Sequence, residues 1–167
     1  MKIKSMTCLI PLLFASFSVA QDNFCDFSDE FSGYRLQYPC HWKAQTHSES
    51  SGMIRADFSG ESLGFQVRSY KKNRRLEDFF QWYLDQFIKD MESRWGGKAE
   101  IKDRSSLNRY LQAVIVLKRS DGQVWEFWEY VFEGNQQFIA FQCGVREEEN
   151  ASGAVFNQIA DSFRFIN

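Results

Sequence analysis

The chain is poor in the residues and motifs that carry catalysis. It contains only two histidines, His41 and His47, and it has no Cys-x-x-Cys pair. The sequence signatures of serine hydrolases, zinc proteases, phosphate-binding loops and dinucleotide-binding folds are all missing. Cys40 and His41 are adjacent, and neighbouring side chains on an extended chain point in opposite directions, which does not suit a thiolate–imidazole pair. These absences predict a protein that is not an enzyme, with no metal site and no cofactor.

Long apolar runs and an excess of basic charge are missing as well. The formal net charge is −2, and the longest basic stretch is Lys71–Arg75. We interpret that stretch as a solvated loop before a helix rather than a nucleic-acid or lipid-binding patch. After the N-terminal region, no apolar segment reaches the roughly 20 residues that a membrane-spanning helix needs. The sequence therefore predicts no nucleic-acid partner and no stable membrane anchor.

The first 20 residues are organised like a secretory signal peptide. Lys2 and Lys4 precede an apolar stretch from Met6 to Phe17, and the small residues Ser18 and Ala20 flank Val19 at a cleavage site. We predict cleavage after Ala20 and a periplasmic or secreted protein. The remaining residues, 21–167, have the length of a single domain with a core large enough to fold alone.

Export makes the three remaining cysteines, Cys25, Cys40 and Cys143, informative. An odd number in an oxidising compartment allows three pairings and leaves one thiol free. Cys143 shares a strand face with Ile139 and Phe141, which favours a buried free thiol. A bridge between Cys25 and Cys40 would tie the N terminus to the first secure strand. We predict that disulfide, and because no lipobox precedes Cys25 we expect no lipid anchor there.

Alternating apolar and polar residues predict a chain rich in strands. Short turns containing glycine or aspartate separate the last three strands, which indicates antiparallel pairing. Residues Gln45–Ser51 are predicted to form a polar loop. The predicted strands are Phe24–Asp29, Tyr34–Tyr38, Met53–Phe58, Leu63–Tyr70, Ala99–Arg104, Tyr110–Lys118, Val124–Phe132 and Gln137–Val145.

Two helices complete the prediction. Apolar residues recur at steps of three and four between Leu76 and Trp95, and Gly96 with Gly97 supplies the stop. A second helix is predicted at Ala151–Ser162. Because several strands are apolar on both faces, both faces need cover. We therefore predict an α+β fold, an α/β/α sandwich with a central, mainly antiparallel sheet flanked by helices. The residues expected to bury the first helix against the sheet are Phe80, Leu84, Phe87 and Ile88.

One aromatic residue, Trp82, lies away from the apolar stripe of the first helix, on the side that carries Asp78, Asp85 and Lys89. An exposed tryptophan there would suit contacts with a protein partner, because tryptophan is enriched at binding hot spots. A tryptophan that is isolated on the surface or covered by a loop would have no such role. Both interpretations are compatible with the sequence, and Trp82 is the candidate partner-binding residue.

Two fragments resemble the PsbP-like superfamily. Residues 34–42, Tyr-Arg-Leu-Gln-Tyr-Pro-Cys-His-Trp, resemble its opening strand, which often reads aromatic-x-x-x-Tyr-Pro-x-x-Trp. Residues 159–165 are similar to its closing helix and the Ser-Phe that follows. The order of elements between them also fits, so the resemblance covers about Tyr34 to Phe165. It implies an α/β/α sandwich with a central antiparallel sheet.

The superfamily includes extrinsic photosystem subunits, a Ran-GTPase-binding factor and many exported bacterial proteins, and members with known roles mostly bind or assemble other proteins. The resemblance thus implies an exported, non-catalytic binding or assembly module that acts through a protein partner, and no site residue carries over from it. The alternative is a carrier of a small apolar or sugar ligand, because aromatic residues make up 17% of the chain. An aromatic-lined cavity of about 300 Å³ or more would favour the carrier.

Overall fold

The computed structural model describes residues 23–47, 54–60, 63–107, 109–146 and 152–166. The predicted signal peptide, residues 1–20, lies outside these ranges. Along the described residues the chain forms five strands, a long helix, four strands, a second helix and a short final strand. In this part of the chain, no helix is long and apolar enough to cross a membrane.

The strands form two antiparallel sheets. The smaller sheet holds three strands in the order β1-β2-β10, and the larger holds seven in the order β3-β4-β5-β9-β8-β7-β6. The strands are β1 (Phe24–Asp29), β2 (Tyr34–Pro39), β3 (Lys43–Thr46), β4 (Ile54–Ser59), β5 (Gly64–Lys71), β6 (Lys98–Leu107), β7 (Tyr110–Lys118), β8 (Val124–Glu133), β9 (Gln137–Arg146) and β10 (Arg164–Phe165), and the helices are α1 (Leu76–Trp95) and α2 (Ser152–Ser162). The α+β class and the mainly antiparallel pairing are confirmed.

Two elements differ from the sequence prediction. Gln45 and Thr46, predicted in a loop, belong to β3 and pair with Asp57 and Ala56 of β4. All four residues of β3 are exposed at the edge of the large sheet, so no apolar alternation marks this strand. The short β10 was not predicted, because two residues are too few to show a period, and it pairs with β2.

One face of the large sheet packs against α1. The predicted Phe80, Leu84 and Phe87 are buried there, while Ile88 is half-buried. Trp95 belongs to the same stripe but is 41% exposed, because it is the last residue of the helix, and its ring lies beside those of Trp125 and Phe127 on β8. The helix and this face of the sheet form a first apolar cluster. The side chains that the sheet contributes to it are Tyr70, Ala99, Ala113, Ile115, Leu117, Phe127, Val131, Phe138 and Ala140.

A second apolar cluster joins α2 and the small sheet to the face of the large sheet that does not pack against α1. Phe156 and Ile159 of α2 are almost fully buried in it, as are Tyr34 and Leu36 of β2. Successive residues of β9 alternate between the two clusters, since Phe138 lies in the first and Ile139 in the second. This alternation explains why the strands are apolar on both faces.

The structure contains the predicted Cys25–Cys40 disulfide, with a Cα–Cα distance of 4.9 Å. Cys25 lies in β1 and pairs in register with Tyr38 of β2, so the bridge links β1 to Cys40, the residue that directly follows β2. Cys143 is a buried free thiol, and burial raises its pKa well above the ordinary value. A disulfide of this kind is typical of proteins from an oxidising compartment.

Candidate functional site

Trp82 lies at the border between α1 and β5, and 38% of its surface is exposed. Its ring centroid is 5.7 Å from that of Phe79 and 6.3 Å from that of Tyr70. The guanidinium carbon of Arg74 lies 5.1 Å from the indole centroid, in cation–π range. We call Tyr70, Arg74, Phe79 and Trp82 the Trp82 patch. Its tryptophan is held in one orientation by three neighbours and remains accessible.

A second arginine–aromatic contact involves Phe80, two residues before Trp82 on α1. The guanidinium carbon of Arg104, on β6, is 5.1 Å from the centroid of Phe80. Arg104 also donates a hydrogen bond to Gln81 Oε1 at 2.9 Å, and Gln81 Nε2 donates to Asp85 Oδ1 at 2.8 Å. The exposed side chains beside Trp82 are therefore connected to the edge strand of the sheet.

The segment that precedes α1 makes this surface basic. Residues 71–75 carry four basic side chains. Lys72 forms an ion pair with Glu133 at 2.8 Å, and exposed Arg75 lies 3.6 Å from Glu77. Arg74 donates a hydrogen bond to the neutral Asn73 side chain and, among the described residues, has no carboxylate within ion-pair distance. The charge of Arg74 is therefore available to a partner that approaches Trp82.

A buried polar cluster lies beneath α1. Glu129 of β8 is fully buried, and its Oε2 accepts a hydrogen bond from the Tyr83 hydroxyl at 2.5 Å. Its Oε1 has no hydrogen-bond partner among the described residues. Burial raises the pKa of Glu129 well above its ordinary range, and the Tyr83 hydrogen bond and the Arg68 charge offset only part of that rise.

Arg68 approaches the same cluster from β5. Its Nη2 donates a hydrogen bond to Gln66 Oε1 at 2.9 Å. Burial alone lowers the pKa of Arg68, but Tyr70, Tyr83 and Glu129 outweigh burial and the net direction is upward. A general acid must reach its substrate, yet Glu129 is buried away from solvent and lines neither of the two surface clefts described below. We therefore interpret this cluster as structural.

Metal-ligating side chains are sparse in the described part of the chain. His47 Nε2 and Asp57 Oδ2 lie 2.6 Å apart on neighbouring strands. No group of three or more histidine, cysteine, aspartate or glutamate side chains in the described ranges is arranged to hold a metal ion. The pair His47–Asp57 therefore stands as a hydrogen-bonded or ionic contact between β4 and the end of β3.

The interior of the fold is filled by aromatic rings. Phe58 stacks on Phe65 at a centroid distance of 4.3 Å, and Phe79 stacks on Phe138 at the same distance. Two clefts, of about 940 and 790 Å³, are open grooves on the surface. Neither groove is the aromatic-lined interior cavity that a carrier of a small apolar ligand would need.

Comparison with known proteins identifies the fold. No protein-family model and no curated protein matches the chain. The solution structure of cyanobacterial PsbP (CyanoP) from Synechocystis sp. PCC 6803 superposes with a TM-score of 0.70 at 18% identity, covering 92% of this chain and 98% of that one. A crystal structure from Bacteroides thetaiotaomicron VPI-5482 matches with a TM-score of 0.55 at 10% identity, covering 85% of this chain and 48% of that one. The chain therefore has a PsbP-like fold.

Proposed function

We propose that this PsbP-like fold serves as an exported, non-catalytic binding module whose Trp82 patch docks an acidic surface of a protein partner. The observation that carries the proposal is the geometry of Trp82, which is supported by Phe79 and Tyr70, capped by Arg74 and still 38% exposed. The fold supports it as well, because the resemblance to PsbP-like proteins implies binding or assembly rather than catalysis.

The residue types of the Trp82 patch suit a protein interface. Tryptophan, tyrosine and arginine dominate binding hot spots, and such residues are most effective when they are already ordered. An indole fixed between Phe79 and Arg74 loses little side-chain entropy when a partner covers it. The patch therefore offers a large apolar contact at low entropic cost.

Charge complementarity selects an acidic partner. The chain as a whole is slightly acidic, with a formal net charge of −2, yet the guanidinium of Arg74 lies over the Trp82 ring and has no carboxylate of the described residues within ion-pair distance. This positive charge attracts an acidic surface toward the patch and raises the association rate at low ionic strength. Export is supported by the Cys25–Cys40 disulfide, which is stable in oxidising compartments.

Photo-crosslinking tests this proposal. A photoreactive amino acid at Gln86, an exposed position one turn from Trp82 on α1, should capture a partner from native exported material. Trp82→Ala should reduce that capture by about tenfold or more, the loss expected for a hot spot. The matched control is Trp95→Ala, because Trp95 is a similarly exposed tryptophan at the other end of the same helix. That control should leave capture unchanged.

Two further measurements test whether charge contributes to the capture and whether each variant is folded. Capture should weaken as salt rises, and Arg74→Gln should weaken it at low salt more than at high salt. Thermal unfolding of each variant must show a folded protein, since Trp82 also packs on Phe79 and Tyr70. Equal capture by Trp82→Ala and Trp95→Ala, with both proteins folded, would contradict the proposal.

A further inference from the structure

A β-bulge turns one arginine out of the regular pattern of β4. Ile54 pairs with Arg68 and Ala56 pairs with Val67, so Arg55 is an extra residue in the ladder. Bulges of this kind redirect a side chain and are frequent beside functional sites. Here the guanidinium carbon of Arg55 lies 5.5 Å from the ring centroid of Phe31, in the turn between β1 and β2.

Arg55 is half-buried, but its side chain forms no hydrogen bond or ion pair with the described residues. Its Nε and Nη1 atoms are buried and without an acceptor. The nearby Tyr34 hydroxyl is also buried without a partner; burial raises the pKa of Tyr34, Asp29 raises it further and Arg55 lowers it. Guanidinium nitrogens that are removed from water without an acceptor are costly, so an anion that supplies acceptors to them would bind favourably.

Arg55 lines a surface cleft of about 790 Å³. The charges on the lining are Arg55, Lys71 and Glu133, and Glu133 is neutralised by its 2.8 Å ion pair with Lys72. The cleft therefore carries a positive excess. The apolar part of the cleft lining includes Phe31, which is 67% exposed, Phe165, and Ile166, which is 42% exposed.

The walls of this cleft are tied together across three elements. Gln137 Nε2 donates to the carbonyl of Ser32 at 2.5 Å, and Ser69 Oγ donates to Gln137 Oε1 at 2.8 Å. The amide of Ile166 donates to the carbonyl of Gly33 at 2.8 Å. These bonds hold the turn that carries Phe31 against β5, β9 and the C-terminal segment, so the cleft is formed before a ligand arrives.

From this arrangement we infer that the cleft between Arg55 and Phe31 binds a carboxylate attached to an apolar or aromatic group. The guanidinium supplies the planar donor pair that matches a carboxylate, and the exposed Phe31 ring packs on the attached apolar group. The inference does not depend on the proposed docking at Trp82.

Two sources carry this chemistry, a free organic acid and the C-terminal carboxylate of a polypeptide with an apolar last residue. Titration followed by backbone and arginine-side-chain NMR tests both. Phenylacetate should shift the Arg55 Nε resonance and the amides of residues 31–33, whereas the neutral isostere phenylacetamide should not. A peptide ending in Phe-COOH that binds about tenfold or more tightly than phenylacetate would assign the site to a polypeptide terminus, and the reverse order would assign it to a free acid.

Substitutions test whether Arg55 and Phe31 are the residues that bind phenylacetate. Arg55→Met keeps the aliphatic stem and removes the charge, and it should weaken phenylacetate binding by at least about tenfold. The matched control, Arg104→Met, removes another arginine whose guanidinium lies over an aromatic ring, that of Phe80, and should leave phenylacetate binding unchanged. Phe31→Ala alters an exposed side chain, so it keeps the test valid if Arg55→Met fails to fold; it too should weaken binding. Equal binding of acid and amide, no shift at about 10 mM phenylacetate, or equal effects of the Arg55 and Arg104 variants would overturn the inference.

Discussion

The hydroxyl of Tyr83, in the middle of α1, donates a 2.5 Å hydrogen bond to the fully buried carboxyl of Glu129 on β8. This contact joins the long helix to an interior strand of the large sheet, within a layer of mainly apolar side chains. It also places an ionisable group where ionisation is unfavourable, because burial raises the pKa of Glu129. The stability of the fold should therefore depend on pH through this one residue.

The sign of that dependence follows from linkage. The folded-state pKa of Glu129 lies above the unfolded value, so between the two the folded state holds a proton that the unfolded state has lost. The free energy of unfolding should then fall as pH rises above about 4.3, at up to about 1.4 kcal/mol per pH unit, until the folded pKa is passed. Glu129→Gln, which cannot ionise and still offers Tyr83 an acceptor, should remove this component.

Urea unfolding at several pH values from about 5 to about 8 measures the effect. The difference between wild type and Glu129→Gln cancels most other titrating groups and should grow in favour of the variant as pH rises. Tyr83→Phe is the companion variant, because it removes the donor, raises the pKa of Glu129 further and should cost about 1–3 kcal/mol. Parallel curves for wild type and Glu129→Gln would show that Glu129 is already ionised in the folded protein throughout this range, and would contradict the raised pKa.

Core packing gives the second prediction. Leu84 is fully buried between α1 and the large sheet, so Leu84→Ala removes packed atoms and leaves a cavity. We expect a loss of about 2–5 kcal/mol in the free energy of unfolding. Gln86→Ala, an exposed site on the same helix, should change stability by less than about 0.5 kcal/mol. Denaturant titration of both variants checks the prediction, and similar small losses at the two positions would contradict the burial of this helix face.

The helix and the buried strands could be predicted from the sequence because each is long enough for its apolar pattern to repeat several times. The helix prediction was accurate at both ends, Leu76 and Trp95, since glycines stop the helix and nine apolar residues mark its stripe. β3 was not predicted because all its residues are exposed, and an edge strand needs no apolar face. Pairing of distant strands, such as β5 with β9, depends on tertiary contacts that no local pattern reports.

The candidate site was predictable only in part. Trp82 departs from the helical stripe and so was visible in the sequence, but the capping by Arg74 and the support from Tyr70 required the structure. Glu129 was missed, although a glutamate between Phe127 and Val131 on an apolar strand face was a usable signal. Arg55 gave no signal, because a bulge has no sequence signature in β4.

The disulfide gives the third prediction. Cys25 and Cys40 close a loop with a sequence separation of 15, for which the chain-entropy model gives about 3 kcal/mol. Replacing both cysteines by serine should lower the free energy of unfolding by about that amount, and a reductant should lower wild type equally but leave the double variant unchanged. Cys143→Ala is the control, since that thiol is free and buried and its loss acts through packing alone. Non-reducing peptide mapping that placed Cys143 in a crosslink would contradict this assignment.

The last prediction concerns the stop of α1. Gly97 has φ of +101°, and a Cβ there would meet the Lys118 carbonyl and lie 2.7 Å from the Arg119 Cα. That backbone belongs to the end of β7 and the turn after it, so it cannot give way as a flexible side chain would. Gly97→Ala should therefore combine left-handed backbone strain with displacement of the β6–β7 pair.

Gly122 provides the matched control for Gly97. It also has positive φ, +86°, but nothing lies within 4 Å of a Cβ built there. Gly122→Ala should cost only the left-handed strain, about 1–2 kcal/mol, whereas Gly97→Ala should exceed that loss by at least about 1 kcal/mol. Denaturant unfolding of the two variants separates strain from steric conflict. Equal losses would mean that the close approach of Gly97 to Lys118 does not restrict this position, and that conformation alone selects glycine at the end of the helix.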